Sequence, residues 1–215
     1  MSDAAIAHAH QFDDATQQRD AATLGMWIFL ATEILFFGGL FLGYTVYRIA
    51  YPQAFAEASR HTLLVFGGTN TAILLISSAI MAFAVRAAQN QKRMALVIHL
   101  FGTTTLGVLF LCIKGFEYSR EISEHLLPGN SFHFAQPHAT HAELFFYLYF
   151  LMTGVHALHV LIGVFLIGFF GINALFTNHL EQQATAIDLL GLYWHFVDIV
   201  WVVLFPLIYL IGRNA

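Results

Sequence analysis

Five ionisable side chains stand where an apolar sequence has little room for them: Glu33, His156, His159, His195 and Asp198. Glu33 interrupts the run LATEILFF, His156 and His159 share GVHALHVLIG, and His195 and Asp198 share YWHFVDIVW. A spacing of three puts each of the two pairs on one face of a helix. Trp194, Asp198 and Trp201 follow i, i+4, i+7, so a carboxylate lies in a stripe of indoles. Three chemistries use such groups. Imidazoles facing a gap between helices can ligate haem, and His99 is a further candidate beside His156, His159 and His195. His156, His159, His195 and Asp198 also have the donor types of a mononuclear metal site. The same groups can instead satisfy one another in a buried His–carboxylate hydrogen-bond network. Bulky Phe and Leu crowd the space a macrocycle needs, and HxxH is a common spacing. A network locking two helices together is therefore the expectation.

Glu33 needs a partner of its own. It sits ~14 Å into its helix at 1.5 Å rise per residue. A carboxylate at that depth costs several kcal/mol unless it is protonated, paired or hydrated. Its helical neighbours in LATEILFF offer nothing, so the partner must come from another helix, a water cavity or a lipid headgroup. A proton relay and a protonated carboxyl bonded inside the bundle both fit.

The elements that carry these residues follow from composition. Of 215 residues, 58% are hydrophobic and 10% charged, against about 25% charged in soluble domains. That excludes a disordered chain, a nucleic-acid binder with a basic face and almost any ordinary soluble enzyme. An integral membrane protein remains. Spanning a bilayer core takes ~20 mainly apolar residues. Five segments meet this: Leu24–Tyr47, Leu63–Val85, Met94–Lys114, Leu144–Leu175 and Asp188–Ile211. The fold class is all-α, a single five-helix transmembrane bundle over residues 24–215 behind a polar tail, residues 1–23. The tail lacks the basic and apolar regions of a secretory signal. The cluster Arg86, Lys92 and Arg93 puts the N-terminus in the cytoplasm and the C-terminus outside. Antiparallel neighbours bring Glu33, Asn70, His156, His159, His195 and Asp198 to similar depth, forming a polar layer across the bundle.

Other features are plainer. Trp27, Tyr44, Tyr47, Tyr51, Trp194 and Tyr209 lie near span ends, as interfacial belts do. Gly39 and Gly43 form a small-xxx-small face on the first helix. Lys114, Glu117 and Glu121 read as ordinary charge pairs where the third span leaves the lipid. His125, His133, His138 and His141 share a loop and read as solvent-facing. Cys112 is the single cysteine, which excludes disulfides and thiolate clusters. No nucleophile elbow, phosphate loop, HExxH or CxxC occurs, so nothing in the residues argues for catalysis by this chain alone.

Taken in order, the motifs GMWIFLATEILFFGGLF (25–41), FGGTNTAILLISS (66–78), LGVLFLCIKGFEYSREI (106–122), TGVHALHVLIG (153–163) and YWHFVDIVWVVLFPLIYL (193–210) resemble subunit III of the haem–copper oxidases. The resemblance runs from Leu24 almost to the end. It implies a subunit with no haem or copper of its own, packed against catalytic subunit I, with subunit II and accessory subunits nearby, in a bacterial inner membrane. It further implies bound phospholipids, support of proton uptake and protection against turnover inactivation. Glu33 matches the family's carbodiimide-reactive glutamate, and the lipid- and fold-holding residues correspond to His156, His159, His195, Asp198 and nearby aromatics such as Trp201. The longer family members have seven helices, and the first two have no counterpart here, so the lipids of their cleft do not carry over. Glu33 favours the cytochrome c oxidase branch. A bo-type quinol oxidase or nitric oxide reductase-associated subunit is the alternative within the family, and a proton channel or haem-binding anchor the alternative outside it.

Overall fold

The computed structural model describes residues 12, 14–129, 132–134, 139–176 and 180–210. Six α-helices follow one another: α1 (Ala15–Ala50), α2 (Pro52–His61), α3 (Leu64–Gln89), α4 (Arg93–Ser123), α5 (Ala139–Phe176) and α6 (Leu180–Phe205), the last running into a π-helical turn, Pro206–Leu210. Five of them, all but α2, are long and apolar enough to cross a membrane. The helices outrun the five segments read from hydropathy, because a helix continues past the lipid wherever its ends can be satisfied. At the start of α1 the Asp14 carboxylate accepts from the Gln17 backbone N–H at 2.7 Å, an N-cap. The second half of the expected polar tail is therefore helical. Ile211, the expected last residue of the fifth span, lies outside the described residues.

α2 was expected as loop. Pro52 opens it at a position where the missing N–H costs nothing. Ala54, Phe55, Ala58 and Ser59 face inward and pack the helix on α5. Its ten residues are too short and too polar to register as a span.

The core lies among α3, α4, α5 and α6: α3 packs on α4 and α6, and α4 on α5. α1 lies along α5 and α6 at the edge and buries only Leu30, Phe37 and Tyr44. Contacts Phe29–Tyr193, Phe37–Phe196 and Tyr44–Leu207 set α1 parallel to α6. Thr71–Trp201 and Ser77–Trp194 set α3 antiparallel to it.

Glycines make the tight contacts. A Cβ on Gly107 would meet Val164 Cγ2 at 2.5 Å and the Trp194 ring at 2.9 Å, and one on Gly163 would meet that ring at 2.7 Å. The Trp194 indole thus fills a slot cut by one glycine on α4 and one on α5. Gly39 and Gly43 are different, with nothing within 4 Å of either Cβ position. Their small-residue face makes no close approach within this chain.

The aromatic belt also divides. Tyr47 and Tyr51 are exposed at the end of α1 and Trp27 is exposed well inside it, whereas Tyr44, Trp194 and Tyr209 are buried. Tyr44 has a structural task. Pro206 cannot donate to the helical ladder and opens the π turn. There the Leu207 carbonyl accepts from the Tyr44 hydroxyl at 3.0 Å and from Arg48 at 3.5 Å.

Candidate functional site

Glu33 on α1 finds its partner on α5. His159 Nε2 lies 3.2 Å from Glu33 Oε2, with the two side chains 15% and 18% exposed, so the pair is enclosed but reachable from the α1 side of the bundle. His159 Nδ1 lies 2.8 Å from the Val155 carbonyl. A carbonyl only accepts, so Nδ1 carries a hydrogen. The contact with Glu33 is then attractive only with one further proton, on Nε2 or on Oε2. Imidazolium with carboxylate, or imidazole with carboxylic acid, are the two forms, and both are neutral overall. Phe37 packs edge-on against the imidazole at 5.2 Å, and the His159 carbonyl accepts from the Tyr193 hydroxyl at 2.9 Å. The pair ties α1 to α5 and is framed by rings.

His156, three residues earlier, faces the core instead. It is fully buried, and its Nε2–H donates to the Val197 carbonyl of α6 at 3.1 Å. Its ring packs against Phe110 and Trp201, while Nδ1 has no partner. His195 pairs with α3: its Nδ1 shares a hydrogen with Ser78 Oγ at 2.7 Å. The Trp201 N–H donates to Thr71 on the same helix at 3.0 Å.

Asp198 and Asn70 are buried without hydrogen-bond partners at either polar side-chain atom; Asp198 faces Ser78, but not at bonding geometry. The polar layer is therefore not one His–carboxylate network. It is a set of separate links, α1 to α5 through Glu33–His159, α5 to α6 through His156, and α6 to α3 through His195 and Trp201. His195 and Asp198 do not satisfy each other. Among the described residues no three His, Cys, Asp or Glu side chains are placed to hold a metal ion. Of the histidines expected in the loop, His141 instead lies in the first turn of α5 and stacks on Tyr51 at 3.9 Å between centroids, and His138 lies outside the described residues.

A second polar site departs from the reading of Lys114, Glu117 and Glu121 as surface charge pairs. All three are buried, at 2%, 0% and 5% exposure. Lys114 Nζ donates to Glu117 Oε2 at 2.9 Å and to the hydroxyls of Tyr149 and Tyr209 at 2.8 Å each. Tyr209 in turn donates to Glu117 Oε1 at 2.7 Å. The rings of Tyr118, Tyr149, Trp201 and Tyr209 surround the ammonium at 4.6–5.6 Å, within cation–π range. Spacing along α4 gave the charge pairs, but the tyrosines that close over them come from α5 and the π turn. Only the tertiary fold brings those together.

The chain matches the family model described as cytochrome c oxidase subunit III over residues 2–213. It is 30% identical over 210 residues to a protein of Thermostichus vulcanus named cytochrome c oxidase subunit 3, covering 97% of this chain and 94% of that one. A protein of Staphylococcus epidermidis named probable quinol oxidase subunit 3 is 27% identical, over 95% of this chain and 96% of its own. In Aeropyrum pernix, a protein named heme-copper oxidase subunit I+III is 28% identical over 90% of this chain, which is 23% of its own length. Five apolar helices, a half-buried glutamate paired across helices and a family match over residues 2–213 agree, and the protein belongs to the cytochrome c oxidase subunit III family.

Proposed function

We propose that this oxidase subunit supports oxygen reduction without performing it. It packs on the catalytic subunit I, holds phospholipid at that boundary, and feeds protons toward the partner through Glu33 and His159. Haem and copper belong to the partner subunits. The observation that carries the reading is the Glu33–His159 contact at 3.2 Å. The pair joins α5 to α1, the span that its own chain covers least, and a proton shared between the two side chains could be handed on from there. The fused I+III relative supports subunit I as the neighbour, since there both parts share one chain. Cytochrome c is the favoured electron donor. The quinol oxidase relative, matched over nearly its whole length, supports quinol as the second reading. Oxidation of reduced cytochrome c or of quinol by the purified oxidase separates the two.

The test of support against catalysis is an oxidase purified without this chain. It should keep its haem spectrum and initial rate of oxygen reduction, take up protons more slowly, and inactivate after fewer turnovers. Loss of haem or of all initial activity would contradict the proposal.

A further inference from the structure

The Lys114 cluster holds a buried acid, Glu121, to which none of the cluster's donors is bonded. A lysine ammonium has three hydrogens, and all three are spent on Glu117, Tyr149 and Tyr209. Glu117 accepts at both oxygens, from Lys114 and from Tyr209. Glu121, one turn further along α4, is 5% exposed, and neither of its oxygens has a hydrogen-bond partner.

The charged and titratable groups facing it are Lys114 and Glu117 from α4, Glu124 at its C-cap, and Tyr149 from α5, whose hydroxyl faces Glu121 but not at bonding geometry. Tyr118 belongs to the same shell and is bonded away to Thr153. Lys114 and Glu117 cancel. An ionised Glu121 would leave a buried, unbonded negative charge, which is costly in such surroundings. A bound cation would have to enter beside an ammonium, in a space packed with rings. A proton needs no room.

We propose that Glu121 is a proton-binding site, a neutral carboxylic acid whose O–H bond forms and breaks in exchange with water at this end of α4. The route to water is short. α4 ends at Ser123, and its last turn and C-cap carry the exposed ion pair Arg120–Glu124. Because α1 runs parallel to α6 and the cluster lies by the π turn at the far end of α6, the site opens on the side opposite the N-terminal end of α1. It is separate from Glu33 and His159, so this chain has two proton-holding sites at different depths.

The test is infrared difference spectroscopy on the purified oxidase complex, wild type against Glu121→Gln at neutral pH. The expected result is a protonated-carboxyl carbonyl band in the wild type that shifts in heavy water and is missing from the variant. Glu121→Gln should also assemble with wild-type yield, because an amide has the shape and neutrality of the acid it replaces. A second variant, Glu117→Gln, removes the charge that neutralises Lys114. Glu121 should then ionise to replace it, and the carbonyl band should give way to carboxylate bands. Carboxylate bands from Glu121 in the wild type, or failure of Glu121→Gln to assemble, would overturn the proposal.

Discussion

A single proton governs the contact between Glu33 and His159, because Nδ1 of the imidazole is already committed to the Val155 carbonyl. Glu33→Gln keeps a group that can donate to Nε2 but has no proton to exchange. The complex should assemble in wild-type amounts and take up protons more slowly, read with a pH-indicating dye during turnover. Failure to assemble would mean that the charge, not the proton, is what matters. For His195 the partner is Ser78 rather than Asp198. Ser78→Ala should lower the stability of the purified complex by about 1 kcal/mol, the net worth of a half-buried hydrogen bond. Asp198→Asn, at a carboxylate with no bonding partner, should leave melting of the complex unchanged. An equal effect of both variants would restore the idea of a shared network. The sequence made the identity of the chemical residues legible, since charge is conspicuous in an apolar run. Their partners were not legible, since Val155 and Val197 act through carbonyls that every residue possesses and Ser78 is unremarkable in an apolar helix.

The helices themselves were legible wherever hydropathy persisted for ~20 residues. What periodicity could not tell was which face each helix turns inward. Glycine shows the difference. Gly39 and Gly43 have the spacing of a packing motif and touch nothing, whereas Gly107 and Gly163 receive the Trp194 indole. Gly107→Ala should destabilise the complex by about 1–3 kcal/mol through overpacking, and Gly43→Ala should not disturb the fold of this chain. Thermal melting of the two purified variants distinguishes them, and equal melting temperatures would refute the slot. Lys114 makes the same point with charge. Its neighbours in sequence suggested a helix leaving the lipid, but aromatic rings from α4, α5, α6 and the π turn enclose it. Glu117→Ala should lower the melting temperature of the complex, because it removes an acceptor from both Lys114 and Tyr209 and leaves Glu121 to supply the balancing charge. An unchanged melting temperature would show the cluster to be hydrated.

Across the whole molecule, the scarcity of charge acquires a pattern. Among the described residues, the buried charged or imidazole side chains form a midlevel pair, His156 and Asp198, beside the half-buried Glu33, His159 and His195, and a terminal set, Lys114, Glu117 and Glu121. Most other charges are exposed near helix ends and in the connections. α1 carries a long exposed apolar face, with Leu24, Ile34, Leu35, Leu42 and Ile49 all uncovered by this chain. In an oxidase that face has two possible neighbours, lipid and another subunit. The central claim is that this chain works only as part of a haem–copper oxidase. The most direct measurement is affinity purification of the tagged chain from its native membranes, followed by a reduced-minus-oxidised spectrum of the eluate. A haem-bearing catalytic subunit should co-elute in fixed proportion and give its absorption bands. Recovery of the chain with no haem–copper subunit attached would contradict the account.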